Sequence, residues 1–205
     1  MGKVDTKKQL KENSLLKTAF EFFTTKGFSK TSISDIVSSA GVAKGTFYLY
    51  FKDKYDIRNK LIAHKSSQLF RNALDELDEQ IKDLDFKERF IRIIDNIVNQ
   101  LNSNQSLLTF ISKNLSWGVF KSVMTAPAAE GDVNFSDVYY SMLEEAPYSF
   151  RDPEIMMFMI IELVSSTCYS VILYQEPCSL AELKPYLYDS IRTIIDRHKL
   201  EETAK

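Results

Sequence analysis

The sequence predicts an all-α protein with an N-terminal three-helix helix-turn-helix domain, joined by a long helix to a larger C-terminal helical bundle, about nine helices in total. Three observations predict it. The 205 residues include only six Gly and five Pro, so long stretches carry no backbone breaker. Apolar side chains recur at i, i+3, i+4 and i+7, the period of a helix with one buried face. Charge is also unevenly placed: residues 1–60 hold 12 Lys/Arg against 6 Asp/Glu, whereas residues 61–205 hold 14 against 22. A basic head on an acidic body suits a grip on nucleic acid, because phosphate neutralisation depends on where the cations lie and not on the net charge of -2.

The first helix is expected over Lys7–Lys26, where Leu16, Ala19, Phe20 and Phe23 make the stripe and Gly27 stops it. A second begins after Ser32, which forms an S-x-x-D capping box with Asp35, and ends at Gly41. A short third helix, Lys44–Phe51, turns Phe47 and Phe51 toward Ile36, Val37, Ala40 and Val42. Asp53 caps a long helix whose apolar face continues through Phe70, Ala73, Leu74, Leu77 and Ile81. The boundary is accordingly drawn between residues 1–52 and 53–205. Asp85 and Glu88 predict another capping box ahead of the stripe Phe90, Ile93, Ile94, Ile97, Leu101.

Helix is expected to continue from Gln105 to Met124, break at Ala126–Asp132 and resume near Phe135–Glu145. Asp152-Pro153 reads as an N-cap with proline at the first helical position. The segment after it, Ile155–Tyr174, is long and apolar enough for a bilayer, with Glu162 as its one charge. Its hydroxyl-rich centre and the lack of flanking Lys/Arg favour a helix apolar all round, buried in a core or a subunit interface and not in a membrane. Ser179 and Glu182 cap a last helix with Leu180, Leu183, Leu187, Ile191 and Ile194 on one face.

Several functional classes are disfavoured. Cys168 and Cys178 form no framework, which suits a reducing cytoplasm, and the polar N-terminus has no signal-peptide core. His64 and His198 stand alone, and no HExxH, P-loop or GxSxG pattern occurs, so neither an enzyme, a metal site nor a cofactor is expected.

Helix, Gly41-Val42-Ala43 turn, short helix is the layout of a helix-turn-helix that leaves its second helix exposed for a major groove. The run Thr31-Ser-Ile-Ser-Asp-Ile-Val-Ser-Ser-Ala-Gly-Val-Ala-Lys-Gly-Thr-Phe-Tyr-Leu-Tyr-Phe-Lys-Asp-Lys54 resembles the signature of TetR/AcrR-type transcriptional regulators. The resemblance is close over residues 10–60 and only architectural beyond. Ala43 departs from the family, many of whose members place a Ser there that caps the helix and touches a phosphate.

Within this stretch, Thr31, Ser32, Lys44 and Lys54 lie at helix N-termini and suit phosphate. Gly45 lets a backbone come close to DNA. Thr46, Tyr48 and Leu49 project opposite Phe47 and Phe51 and are candidates for base edges and thymine methyls. By the resemblance, Tyr50 reaches the DNA backbone.

The resemblance also implies operator DNA and a second copy of the chain as partners, the latter through the C-terminal helices, and a small apolar or aromatic effector. Effector binding would tilt the long helix and release the operator. Trp117, Phe120, Met124, Tyr140, Met159 and Glu162 are the residues expected to line the effector pocket. A helix-turn-helix used for protein assembly, without DNA, is the competing expectation.

Overall fold

The structure is a computed structural model that describes residues 3–81, 83–114, 121 and 135–200. Among the described residues it is all-α, with nine helices: α1 (Lys3–Thr25), α2 (Ile33–Ser39), α3 (Lys44–Phe47), α4 (Lys54–Ile81), α5 (Phe86–Ser103), α6 (Gln105–Asn114), α7 (Phe135–Glu145), α8 (Pro153–Tyr174) and α9 (Leu180–His198). The expected break at residues 126–132 lies outside the described residues, as does the expected helix beyond Asn114 apart from Lys121.

The chain packs as two units, Met1–Lys65 and Ser66–Lys205. In the first, α1 contributes Leu15, Ala19 and Phe23, α2 contributes Ile36 and Val37, and Phe47 and Phe51 fill the space between them. Ile57, Leu61 and Ile62, from the first turns of α4, are buried in the same unit. That is why packing divides the chain within α4, and not at the 52/53 boundary drawn from the motif. Each such fully buried aliphatic or aromatic side chain supplies about 1.5–3 kcal/mol, and a unit this small depends on nearly all of them.

The second unit buries Phe70, Ala73 and Leu77 of α4 with the inner faces of α5, α7, α8 and α9. Ion pairs tie α5 to α9 at the margin of this core. Arg192 reaches Glu88 at 2.8 Å, Lys87 reaches Asp196 at 3.1 Å, and Lys184 reaches Asp95 at 2.6 Å. Tyr188 also donates to Asp95.

Two caps differ from expectation. Asp85 accepts the Glu88 amide as an N-cap should, but the Glu88 carboxylate turns away from the box to Arg192, where a charge-assisted pair is stronger than a bond to an exposed amide. Asp152 adopts a left-handed conformation (φ 49°) with no side-chain cap bond, leaving Pro153 alone to start α8.

Helix α8 is not buried all round. Met156, Met157, Ile160, Cys168, Val171 and Ile172 face the core, while Ile155, Met159, Glu162 and Ser166 are exposed on the opposite side. It is the one described helix long and apolar enough to cross a membrane, and one face of it is part of this helical core.

Candidate nucleic-acid interface

The helix-turn-helix is held by local bonds that the sequence dictates. Gly27 (φ +88°) and Gly41 (φ +67°) end α1 and α2 in a conformation that side chains with a Cβ adopt at a cost. Beyond Gly41, the Val42 amide bonds the Val37 carbonyl at 3.0 Å and sets the turn. At the head of α2 the expected capping box is complete: the Asp35 amide donates to Ser32 Oγ at 3.1 Å and the Ser32 amide donates to Asp35 Oδ2 at 2.9 Å. Lys26 Nζ bonds the same carboxylate at 2.8 Å. Led by the Lys26 bond, these donors hold the Asp35 carboxyl down at about 2, below the usual 3.8.

Two residues assigned to phosphate have other partners. Thr31 is buried, and its hydroxyl donates to the Gly27 carbonyl at 2.9 Å. Lys54 donates to the carbonyls of Phe28 at 2.8 Å and Thr31 at 2.9 Å, with its ammonium 4.4 Å from the centre of the Phe28 ring. The Phe28 carbonyl also accepts the Thr31 amide at 3.3 Å within the turn, and the lysine at the start of α4 adds a donor to it and to the Thr31 carbonyl. In this structure Thr31 and Lys54 thus hold the turn that presents α2.

Helix α3 is a single α-turn over Lys44–Phe47, shorter than the expected Lys44–Phe51. The chain continues through Tyr50 in tighter turns, with Leu49 bonded to Thr46 at 3.2 Å and Tyr50 to Phe47 at 3.0 Å. Ala43 sits at its N-cap with no side-chain bond, as an alanine must.

One side of this segment is closed by Phe47 and Phe51, whose ring centroids lie 5.4 Å apart. The other side is open. Ser32, Lys44, Gly45 and Tyr48 are exposed, Thr46 and Tyr50 are half-buried, and Leu49 is 77 % exposed. A Cβ built on Gly45 would meet nothing within 4 Å, so the protein's own packing does not require glycine there.

Beside this face lie residues that sequence reasoning did not single out. Tyr55 is exposed on the first turn of α4, and the Arg58 guanidinium sits 4.9 Å from the Phe28 ring and 5.2 Å from the Tyr55 ring. Their signal was available, since a capped helix start carrying Tyr and Arg next to a helix-turn-helix is a place for anions.

The expected effector residues are spread out. Trp117, Phe120 and Met124 lie outside the described residues. Tyr140 is exposed and lines a surface recess of about 630 Å³ with Tyr148, Phe150 and Leu200. Met159 and Glu162 stand on the exposed side of α8. Burial pushes the Cys168 thiol up to about 11, which leaves it an unreactive core side chain.

Comparison with known proteins agrees with this geometry. Residues 15–61 match the family model described as bacterial regulatory proteins, tetR family. The chain is 31 % identical over 135 residues to the HTH-type transcriptional regulator YvdT of Bacillus subtilis, an alignment spanning 66 % of this chain and 64 % of that protein. It is 36 % identical over 76 residues to the fatty acid metabolism regulator protein of the same organism, over 37 % of each chain. The chain thus spans less than two thirds of the length of these relatives.

A crystal structure of a tetR family transcription regulator from Shewanella sp. PV-4 superposes with a TM-score of 0.66 at 14 % identity, covering 93 % of this chain and 99 % of the other. FadR from Bacillus subtilis in complex with stearoyl-CoA superposes with a TM-score of 0.62 at 19 % identity, covering 87 % and 96 %. These two likenesses show the shared fold. With the helix-turn-helix formed, its outer face open and the family pattern matched through the first turns of α4, the helix-turn-helix unit of this chain carries the pattern of the tetR family of bacterial regulatory proteins.

Proposed function

We propose that this protein is a DNA-binding transcriptional regulator, acting in the cytoplasm as a homodimer and as a repressor that a small molecule releases from its operator. The observation that carries the DNA reading is the two-sided α3 segment: Phe47 and Phe51 anchor it, and Lys44, Gly45, Tyr48 and Leu49 are left to solvent. Lys44 and the exposed Ser32 hydroxyl suit phosphate oxygens. Thr46, Tyr48 and Leu49 suit base edges and thymine methyls, and Gly45 allows close approach; Tyr50 suits the DNA backbone. Residues 1–52 form the DNA-binding part and residues 53–205 the effector and dimerisation part.

Helix α4 is the physical route between them, because it contributes Ile57 and Leu61 to one core and Phe70, Ala73 and Leu77 to the other. An effector that favours a different placement of α4 would change the spacing of two recognition segments that must meet half-sites about 34–36 Å apart. A coupling of about 1–3 kcal/mol weakens operator binding about 5- to 150-fold. A relative named for fatty acid metabolism and a like-folded protein holding stearoyl-CoA support an apolar effector for the second unit. Trp117, Phe120, Met124 and Tyr140 are the residues proposed to meet it.

The test is fluorescence anisotropy on DNA from upstream of the protein's own gene, against scrambled DNA, at two salt concentrations. Sequence-dependent binding that weakens steeply with salt is expected, with Lys44→Ala lowering the log–log slope by about one and Tyr48→Ala eroding discrimination. Binding that ignores salt and sequence in folded protein would sink the DNA reading in favour of protein assembly.

A further inference from the structure

The segment that carries Tyr48 and Tyr50 is too short to hold its own direction. Helix α3 has four residues, and a helix of a single turn is marginal without outside support. Phe47 and Phe51 are buried and set its depth, and the bond from the Val42 amide to the Val37 carbonyl sets its entry. Two buried rings still allow the segment to roll about the line that joins them, and roll decides which groups of a DNA groove the outward side chains reach.

Helix α4 takes hold where the segment ends. The Tyr50 and Phe51 amides both bond the Phe47 carbonyl, at 3.0 and 2.9 Å. Next to them the backbone is met by side chains: the Lys52 amide donates to Asp56 Oδ2 at 2.8 Å, and Lys60 Nζ donates to the Tyr50 carbonyl at 2.9 Å. Asp56 and Lys60 are four residues apart on α4, so they rise from one face with Cβ atoms roughly 5–6 Å apart. That face thus offers an acceptor and a donor to two backbone groups two residues apart. The Lys60 ammonium also lies 4.9 Å from the centre of the Phe51 ring. Asp53 accepts the Tyr55 and Asp56 amides at 2.8 and 2.9 Å and keeps the start of the helix in place beneath the fork.

On the DNA-binding reading above, we infer that Asp56 and Lys60 are positioning residues: they grip the end of the α3 segment at the Lys52 amide and the Tyr50 carbonyl, and so set the angle at which Tyr48 and Tyr50 meet DNA. Hydrogen bonds are directional, and two of them on one side of the exit stop the roll that the buried rings permit. Lys60 is exposed and belongs to the basic head, so a direct phosphate contact is the role the experiment has to separate from this one.

Fluorescence anisotropy of the whole chain is measured on DNA from upstream of its own gene and on scrambled DNA, across a range of salt, with thermal unfolding of every variant. Lys60→Met keeps the stem beside the Phe51 ring and removes the bond. Losing one such bond lowers the correctly set fraction about fivefold, whereas loose binding driven by phosphate charge tolerates the change. The ratio of operator to scrambled affinity should therefore fall about fivefold, with the salt slope unchanged. Lys60→Arg restores a donor and should recover the ratio. Asp56→Ala should lower it by a similar factor and Asp56→Asn, which still accepts a bond, should recover most of it; comparing these two holds charge constant.

Hydrogen exchange of the Lys52 amide reads the grip without DNA, and should quicken in Asp56→Ala but stay slow in Asp56→Asn. A Lys60→Met chain whose salt slope falls by one while the ratio holds assigns Lys60 to a phosphate and overturns the proposal. A ratio indifferent to both Lys60→Met and Asp56→Ala in folded protein overturns it as well. Wild-type binding that ignores sequence and salt overturns the DNA reading itself; a Lys52 amide still protected by Asp56 would then mark the grip as structural only.

Discussion

Replacing Lys54 with Met separates a residue that shapes the recognition unit from one that touches DNA. The side chain makes two charge-assisted hydrogen bonds, 2.8 and 2.9 Å long, to the carbonyls of Phe28 and Thr31, and these stitch the start of α4 to the turn ahead of α2. Met keeps most of the contact with the Phe28 ring but donates nothing. Bonds to charged groups contribute about 1.5–3 kcal/mol each when shielded. The turn is only partly buried and water can replace one donor, so we expect a loss of about 2 kcal/mol in all. For a unit of this size that lowers the unfolding midpoint by roughly 10 °C. Calorimetry together with hydrogen exchange of the α2 and α3 amides reads the loss where it occurs. The salt slope of DNA binding should stay at its wild-type value, since no phosphate contact is removed, while Lys44→Ala should do the reverse and lower the slope by about one with the midpoint unchanged. A Lys54→Met protein of unaltered stability whose slope falls by one would refute the clamp and return Lys54 to the phosphate.

Two further perturbations test the electrostatics. Asp35 is held at about 2 in the fold against 3.8 ordinarily, so its ionised form is favoured by folding. Its contribution is complete above the unfolded value and is lost as pH falls through the folded one. Wild type and Lys26→Met should accordingly differ in stability at neutral pH and converge between about pH 4 and 2; a difference constant over that range would show that Lys26 acts by packing alone. In the second unit, burial raises the Asp95 carboxyl but its bonds from Lys184 and Tyr188 outweigh that and leave it lowered. Asp95→Asn should cost about 1–2 kcal/mol in denaturant unfolding, between an exposed and a buried pair, because the half-buried Lys184 loses its counter-charge. Unchanged stability would mean that the network adds nothing beyond what water provides.

Much of the recognition unit is legible in the chain because its signals are short-ranged. Ser32 and Asp35 are three residues apart and complete a box wherever a helix starts between them. Gly27 and Gly41 permit the left-handed turns their positions demand, and Phe47 and Phe51 share one face by helical spacing alone. The Ser179–Glu182 box at the head of α9 forms for the same reason.

What only the tertiary structure decided are choices among partners distant in sequence. Thr31 and Lys54 carry the groups a phosphate would want, yet the turn at Phe28–Thr31, closed by the Thr31 amide on the Phe28 carbonyl at 3.3 Å, presents carbonyls that bond Lys54 from 23 and 26 residues away. Glu88 abandons its local cap for Arg192, 104 residues on, because packing of α5 against α9 puts a guanidinium within reach. The hydrophobicity of α8 is nearly uniform around its axis, so composition could mark it as a helix to be covered but could not say which side its own chain covers. Local bonds depend on side chains whose separation the backbone itself sets. Long-range ones depend on which surfaces meet, and that becomes defined only once the cores have formed.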